Sequence, residues 1–543
     1  MVTITRDATE PCSKTLYNGI KLPPEWPPAY EVSAETESDV MPVPYLQNPP
    51  DIIPIDIGRQ LFVDDFLIEE TTLKRTYHRA EYHPSSPVLE PDCRWETGTQ
   101  HRGYPAPTAM VYSDGVWYDP ADSTFKMWYM SGYNKATAYA ESRDGVTWSK
   151  PELDVIPGTN LIYANTTVTR GSNTIWLDPG DPPSRRFKMF QPVVSRKRHY
   201  RFGIFVSGDG IHWEDSIAVT PPFSGDRSTV FYNPFRGVWV FSIKQNLFGR
   251  RRKYAEVEDL SMVGGAWVDG DELPVWVGAD RLDDPHRDLP NQRRRELYNL
   301  DANAYESLLL GLFTIYPGVP EDRPKINQVF LGFSRDGFHW DRPDRRPFIP
   351  VSDRQGDWNW GNVQSAGGCC LVVGDRLYFY MSGRAGIPGT SQSGRCSVGL
   401  ATLRRDGFAS MDAGDSEGEL LTRPVSFSGS HAFVNLNAPR GSLRVEIQDE
   451  DGKPLDRFSL DRCHPLKTDS TIEWVRWRGD PSLSDLAGGA VRFRFLLVQG
   501  SLYSFWVSPD ESGASHGYVA AGGPGFDGPT DTVGNGAQAD NSS

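Results

Sequence analysis

Acid, amide, cation and indole side chains recur at five places where a strand is expected to begin. They are Trp95, Glu96, His101 and Arg102; Asn173; Asp226 and Arg227; Asp301, Asn303 and Glu306; and Trp358, Trp360, Asn362 and Gln364. Brought to one place, such a set suits glycosidic-bond cleavage. A protonated carboxyl passes its proton to the leaving oxygen, while a second carboxylate attacks, or activates water, opposite an oxocarbenium-like transition state. Indoles give flat faces to sugar rings, and arginines and amides hold hydroxyls. Asp226 and Asp301 lead, because each opens a strand. In a strand, Asp301, Asn303 and Tyr305 share one face and Glu306 takes the other, so Glu306 needs a bulge or loop to join them. Glu96 is the rival proton donor. Plainer roles stand beside these: an Asp226–Arg227 ion pair, a turn capped by Asp301 after Asn299, and packing for Trp358 and Trp360.

The elements that must position these residues repeat. Ser142-Arg-Asp-Gly-Val-Thr-Trp148, Ser207-Gly-Asp-Gly-Ile-His-Trp213 and Ser334-Arg-Asp-Gly-Phe-His-Trp340 are near-copies, with a weaker fourth at Arg404-Arg-Asp-Gly-Phe408. Their aspartates are 65, 127 and 70 residues apart. Since 127 is close to twice 65, one copy has decayed and five units follow. Asp-Gly between β runs marks a hairpin, because glycine accepts positive φ without steric cost. Units of this size, with small residues on the first strand, suit propeller blades round an axis. The expected fold is all-β: an extended arm over 1–54, a five-bladed β-propeller over 55–425, a β-sandwich over 426–510 and a disordered tail over 511–543. Alternating runs such as Leu443–Gln448 and Val491–Leu497 predict the sandwich. The Gly-, Ser-, Asn- and Asp-rich composition predicts the tail.

Composition narrows the partners. Hydrophobic residues make up 38% and aromatics 12%, enough for β-rich cores. A net charge of −15 disfavours nucleic acid and other polyanions. The one dense basic run, Arg250-Arg-Arg-Lys253, reads as a solvated loop. No apolar run reaches bilayer length, so no membrane partner is expected. The Pro- and acid-rich start of the chain is unlike a signal peptide, which favours a cytoplasmic location. Cys12, Cys93, Cys369, Cys370, Cys396 and Cys463 form no C-x-x-C pair and read as reduced thiols, with neither disulfide framework nor metal cluster.

With the blade ends, Leu61-Phe-Val-Asp-Asp-Phe-Leu-Ile68, Phe125-Lys-Met-Trp-Tyr129 and the trailing sandwich, the chain resembles the five-bladed glycosidase superfamily of invertases, levanases and arabinanases. It looks most like uncharacterised bacterial proteins similar to glycoside hydrolase family 32. The resemblance implies a hydrolase acting on an oligo- or polysaccharide, furanosides included, at the mouth of the axial funnel. It implies no cofactor; an axial calcium ion occurs in some relatives, though no residue here demands one. The family's Asn-Asp-Pro-Asn-Gly, Arg-Asp-Pro and Glu-Cys motifs are absent at their expected places, and Gly225-Asp226-Arg227 only partly stands in for the second. His83-Pro-Ser-Ser-Pro-Val-Leu89 resembles mannoside phosphorylases, which would need a cationic phosphate site, with Arg102 and Arg227 the nearby candidates. A non-catalytic sugar-binding propeller is the alternative of another class. A sialidase would need an arginine trio that the inner strands do not offer.

Overall fold

A computed structural model describes residues 14–163, 170–196, 199–283, 295–320 and 323–539. The protein is nearly all β. Five antiparallel sheets follow one another along the chain. Each opens on an inner strand: Ala109–Asp119, Thr174–Leu177, Thr229–Asn233, Glu296–Glu306 and Asn362–Ser365. These inner strands touch in turn, and the fifth returns to the first, so the ring is closed. The fifth sheet takes its outer strand, Glu81–Tyr82, from before the first sheet, pairing Ala401 with Tyr82. That pairing ties the two ends of the ring together.

The repeated turns join neighbouring sheets. In each, the aspartate folds back on its own backbone: Asp144 Oδ1 accepts from the amides of Val146 (2.8 Å) and Thr147 (2.7 Å), and Asp209 and Asp336 do the same. An aromatic from the preceding sheet then donates to the turn. Trp128 Nε1 reaches Gly210 O at 2.7 Å, Trp276 Nε1 reaches Phe338 O at 2.7 Å, and Tyr380 Oη reaches Gly145 O at 2.5 Å. These polar handles on large rings fix the sheets edge to edge while the rings fill the space between them.

Two further antiparallel sheets lie behind the ring. One runs Asp469–Trp474, His431–Asn437, Gly500–Ser508, Ala409–Ala413 and Lys74–Tyr77, with Gln60–Leu61 pairing on Gly500–Ser508; the other runs Ile68–Thr71, Gly418–Thr422, Arg492–Val498 and Ser442–Gln448. They share one apolar core that includes Phe62, Leu436, Phe493 and Phe505, and Leu16, Ile20 and Tyr45 of the N-terminal arm are buried in it too. The predicted boundaries therefore move: residues 60–77 and 409–422 pair with these sheets rather than with the five. No helix among the described residues is long and apolar enough to cross a membrane.

Two expectations are overturned. Arg250–Val257 is a strand of the third sheet, not a solvated loop, and Arg252 is fully buried. Its guanidinium donates to the carbonyls of Arg227 and Tyr298, which a surface loop could not do. Nor is the tail disordered from residue 511. Tyr518–Val519 pairs with Tyr305 and Glu306 at the end of the fourth inner strand, Phe526 is buried, and Asp531 is ion-paired to Arg405 at 2.9 Å. A few anchoring side chains outweigh the low apolar content of the segment. Cys12 lies outside the described residues; Cys93, Cys369, Cys370, Cys396 and Cys463 are free thiols.

Candidate active site

Two bulges in the inner strands shape the axis. In the first inner strand Met110 pairs with Met130 and Gly115 with Trp128, so residues 111–114 stand opposite Tyr129 alone. The excursion carries Tyr112, at φ 54°, with Ser113 and Asp114, and Gly115 closes it at φ 118°. A Cβ at Gly115 would sit 3.0 Å from Ile175 O, so the close approach of the second sheet also requires glycine there. In the fourth inner strand Leu297 pairs with Ile315 and Asn299 with Thr314, which leaves Tyr298 as the extra residue. Bulges of this kind re-aim a side chain at the cost of a ladder position.

Below the bulges the axis is polar. Asp301 Oδ2 accepts from Ser365 Oγ (2.5 Å) and Asn299 Nδ2 (2.7 Å). Asp114 is ion-paired to Arg170, whose Nε donates to Thr137 Oγ1 at 3.0 Å. Asn173 Nδ2 donates to the same hydroxyl at 2.9 Å, and Arg227 donates to Ser172 Oγ at 2.6 Å. Six atoms here have no hydrogen-bond partner among the described residues: Asp114 Oδ2, Asn173 Oδ1, Asn299 Oδ1, Gln364 Oε1, and Arg227 Nε and Nη2. Buried polar atoms are normally paired, so such a concentration marks a place where a polar ligand supplies the partners.

The ionisation states follow from burial against cations. Burial lifts the Asp114 carboxyl to about 6, against the pull of Arg170 and Arg227. Burial also raises Asp301, against Arg227 and its hydrogen bonds from Ser365 and Ser113. Tyr298 goes the other way. Burial would push its phenol up, but Lys325, Arg384 and Arg227 together pull it down to about 7. Lys325 Nζ donates to its hydroxyl at 2.7 Å. The Arg227 guanidinium lies 3.7 Å from the Tyr112 ring centroid.

No family model matches the chain, and no curated protein matches it. Solved structures similar to it include a thermostable family-43 glycoside hydrolase, 11% identical over 56% of this chain and 93% of that one, at a TM-score of 0.38. A glycosyl hydrolase of Bacteroides ovatus is 11% identical over 65% and 99%, at 0.39. The exo-β-1,3-galactanase of Phanerochaete chrysosporium is 12% identical over 77% and 99%, at 0.33. At such scores the chemistry of the site rests on its own residues.

Of the residues singled out in the sequence, Asp301, Asn173, Arg227, Asn362 and Gln364 gather at the axis. Asn362 Nδ2 donates to Lys325 O at 3.0 Å, and Asn362 Oδ1 accepts from Gln364 Nε2 at 2.7 Å. Asp226 is half-exposed and ion-paired with Lys244, not with Arg227; although burial opposes it, Lys244 holds its carboxyl below the usual range. His101 stacks on Tyr133 at 4.4 Å, and Arg102 is exposed beside it. Asn303, deeper on the strand, donates to Gly368 O at 3.2 Å.

The other candidates are occupied elsewhere. Glu306 ends the fourth inner strand, about 16 Å along it from Asp301 at strand rise. There it meets Arg59 (3.5 Å) and Arg405 (3.2 Å) in a fully buried ionic cluster. Glu96 is buried and accepts from Tyr129 Oη, Lys150 and the amide of Asp92. Trp95 donates to Asn160 Oδ1 at 3.1 Å. Trp358 fills the space over Gly383 and Gly399, where added Cβ atoms would lie within about 2 Å of its ring, and Trp360 is buried under the Arg323 guanidinium. Both indoles are packing. Sequence reasoning missed Tyr112, Asp114, Arg170, Tyr298, Lys325 and Arg384. One signal was available: Asp114-Gly115 inside a run of strand-forming residues indicates a bulge. Arginines do reach the axis from separate parts of the chain: Arg170 and Arg227 act on Asp114, and Arg227 and Arg384 on Tyr298.

Proposed function

We propose that the protein is a glycoside hydrolase, its five sheets the blades of a β-propeller backed by a β-sandwich. On this reading the substrate is an oligo- or polysaccharide bound at the axial mouth. Asp114 is the proton donor and Asp301 the second carboxylate. The observation that carries the reading is the Asp114 carboxyl: wholly buried, lifted to about 6, and keeping one oxygen without a partner among the described residues. A carboxyl that keeps its proton up to about pH 6 is what a glycosidic leaving oxygen needs. Asp301, its charge supported by hydroxyl and amide donors, serves the anomeric carbon. In the overall reaction the C–O bond breaks, the leaving oxygen takes the proton from Asp114, and water gives its hydroxyl to the anomeric carbon and restores that proton.

The test is release of new reducing ends from a panel of neutral and acidic oligosaccharides. The wild type is expected to cleave at least one, and Asp301→Asn to lose about 100-fold or more. Saccharide binding with no cleavage by the wild type would leave a non-catalytic binding propeller instead.

A further inference from the structure

The charges round the axis do not balance. Arg170 and Arg227 act on Asp114, Arg227 and Arg252 on Asp301, and Arg384 and Lys325 on Tyr298, and of these five cations only Arg170 has a carboxylate in salt-bridge contact among the described residues. Arg227 and Arg384 are 1% and 5% exposed, and each keeps a guanidinium N–H without a partner among the described residues. Arg384 donates to Ser393 Oγ at 3.0 Å and Tyr133 Oη at 3.3 Å, both neutral acceptors. Lys325 Nζ donates to the neutral Tyr298 hydroxyl and lies over its ring, with no carboxylate in salt-bridge contact among the described residues. The excess is felt inside the cluster: burial and then Arg227 push Arg252 down to about 9. Buried cations without anions are costly, and guanidinium groups suit planar or tetrahedral oxyanions held by paired hydrogen bonds.

We infer that the axial site holds its saccharide through an anionic group on the sugar, bound by Arg227, Arg384 and Lys325 beside Tyr298. Sugar carboxylates and sulfate esters share this chemistry. The inference rests on the saccharide reading above and narrows it to acidic glycans. Neutral sugars would leave the cations unmatched.

The test uses the full chain with four probes: a galacturonate disaccharide, its carboxyl-reduced counterpart, a sulfated disaccharide and inorganic phosphate alone. Calorimetry is expected to show at least one charged disaccharide binding about 30-fold or more tighter than the reduced one. Arg384→Ala should erase that preference; if this variant does not fold, Lys325→Met on the half-buried lysine should weaken it. Binding should also move the tyrosinate absorption of Tyr298 to higher pH, because the ligand's anion offsets the cations, and Tyr298→Phe identifies the signal. The carboxylate and sulfate arms show which anion is preferred. Equal binding of the carboxyl-reduced disaccharide would overturn the inference. So would phosphate binding more tightly than either charged sugar, with cleavage that depends on it and yields a sugar phosphate. Tight binding of a charged disaccharide without cleavage of any probe keeps the anion site and sinks the hydrolase. Cleavage indifferent to charge does the reverse.

Discussion

Asp114→Asn is expected to lower kcat by about 1000-fold on a sugar with a poor leaving group, the middle of the range for loss of a general acid. The loss should be much smaller on an aryl glycoside, whose leaving group departs without a proton. Both follow from placing the proton on Asp114. The pH dependence has a definite sign. Burial raises this carboxyl to about 6, so the protonated, working form is full below that pH and is lost above it. Wild-type kcat should therefore fall as pH rises through about 6, and the variant should lack that limb. The pH–rate profiles on both leaving groups check this. An alkaline limb that survives in Asp114→Asn would assign the acid to another residue.

The second large effect concerns stability. At the far end of the fourth inner strand, Arg59 and Arg405 are enclosed by Glu306, Asp406 and Asp531. Two cations face three carboxylates, all buried. Arg405→Met leaves three carboxylates to one guanidinium, and should cost about 3–5 kcal/mol, the scale for breaking a buried pair. Glu306→Gln removes the surplus carboxylate, whose pKa burial and then Asp406 and Asp531 already raise against the two arginines. It should cost much less and leave activity intact. Thermal unfolding of both variants separates the cases. Equal destabilisation would mean that charge count does not govern this cluster.

The parts of the fold that were legible in sequence are those set locally. An Asp-Gly turn carries its own hydrogen bonds, so three near-copies mark antiparallel sheets in the sequence itself. Asp301 was found as a polar residue of an inner strand, although that strand opens earlier, at Glu296, and holds Asp301 at its middle. Tyr298 was not, because a bulge is decided by the register against Leu308–Gly318, and the strand's own residues do not record it. Arg384 and Lys325 reach the axis from a second strand and a loop, and only ring closure brings them beside Tyr298. Glu306 misled because five residues of strand carry it away from Asp301 into the ionic cluster at the strand's end. The tail misled through composition: Tyr518, Phe526 and Asp531 hold it down among glycines.

The most direct measurement is a crystal structure of Asp301→Asn with a bound oligosaccharide. A sugar is expected on the axis, with its glycosidic oxygen about 3 Å from Asp114 Oδ2. An oligosaccharide seated instead in the cleft lined by Trp117, Trp176, Tyr232 and Tyr518, with the axis empty, would contradict it.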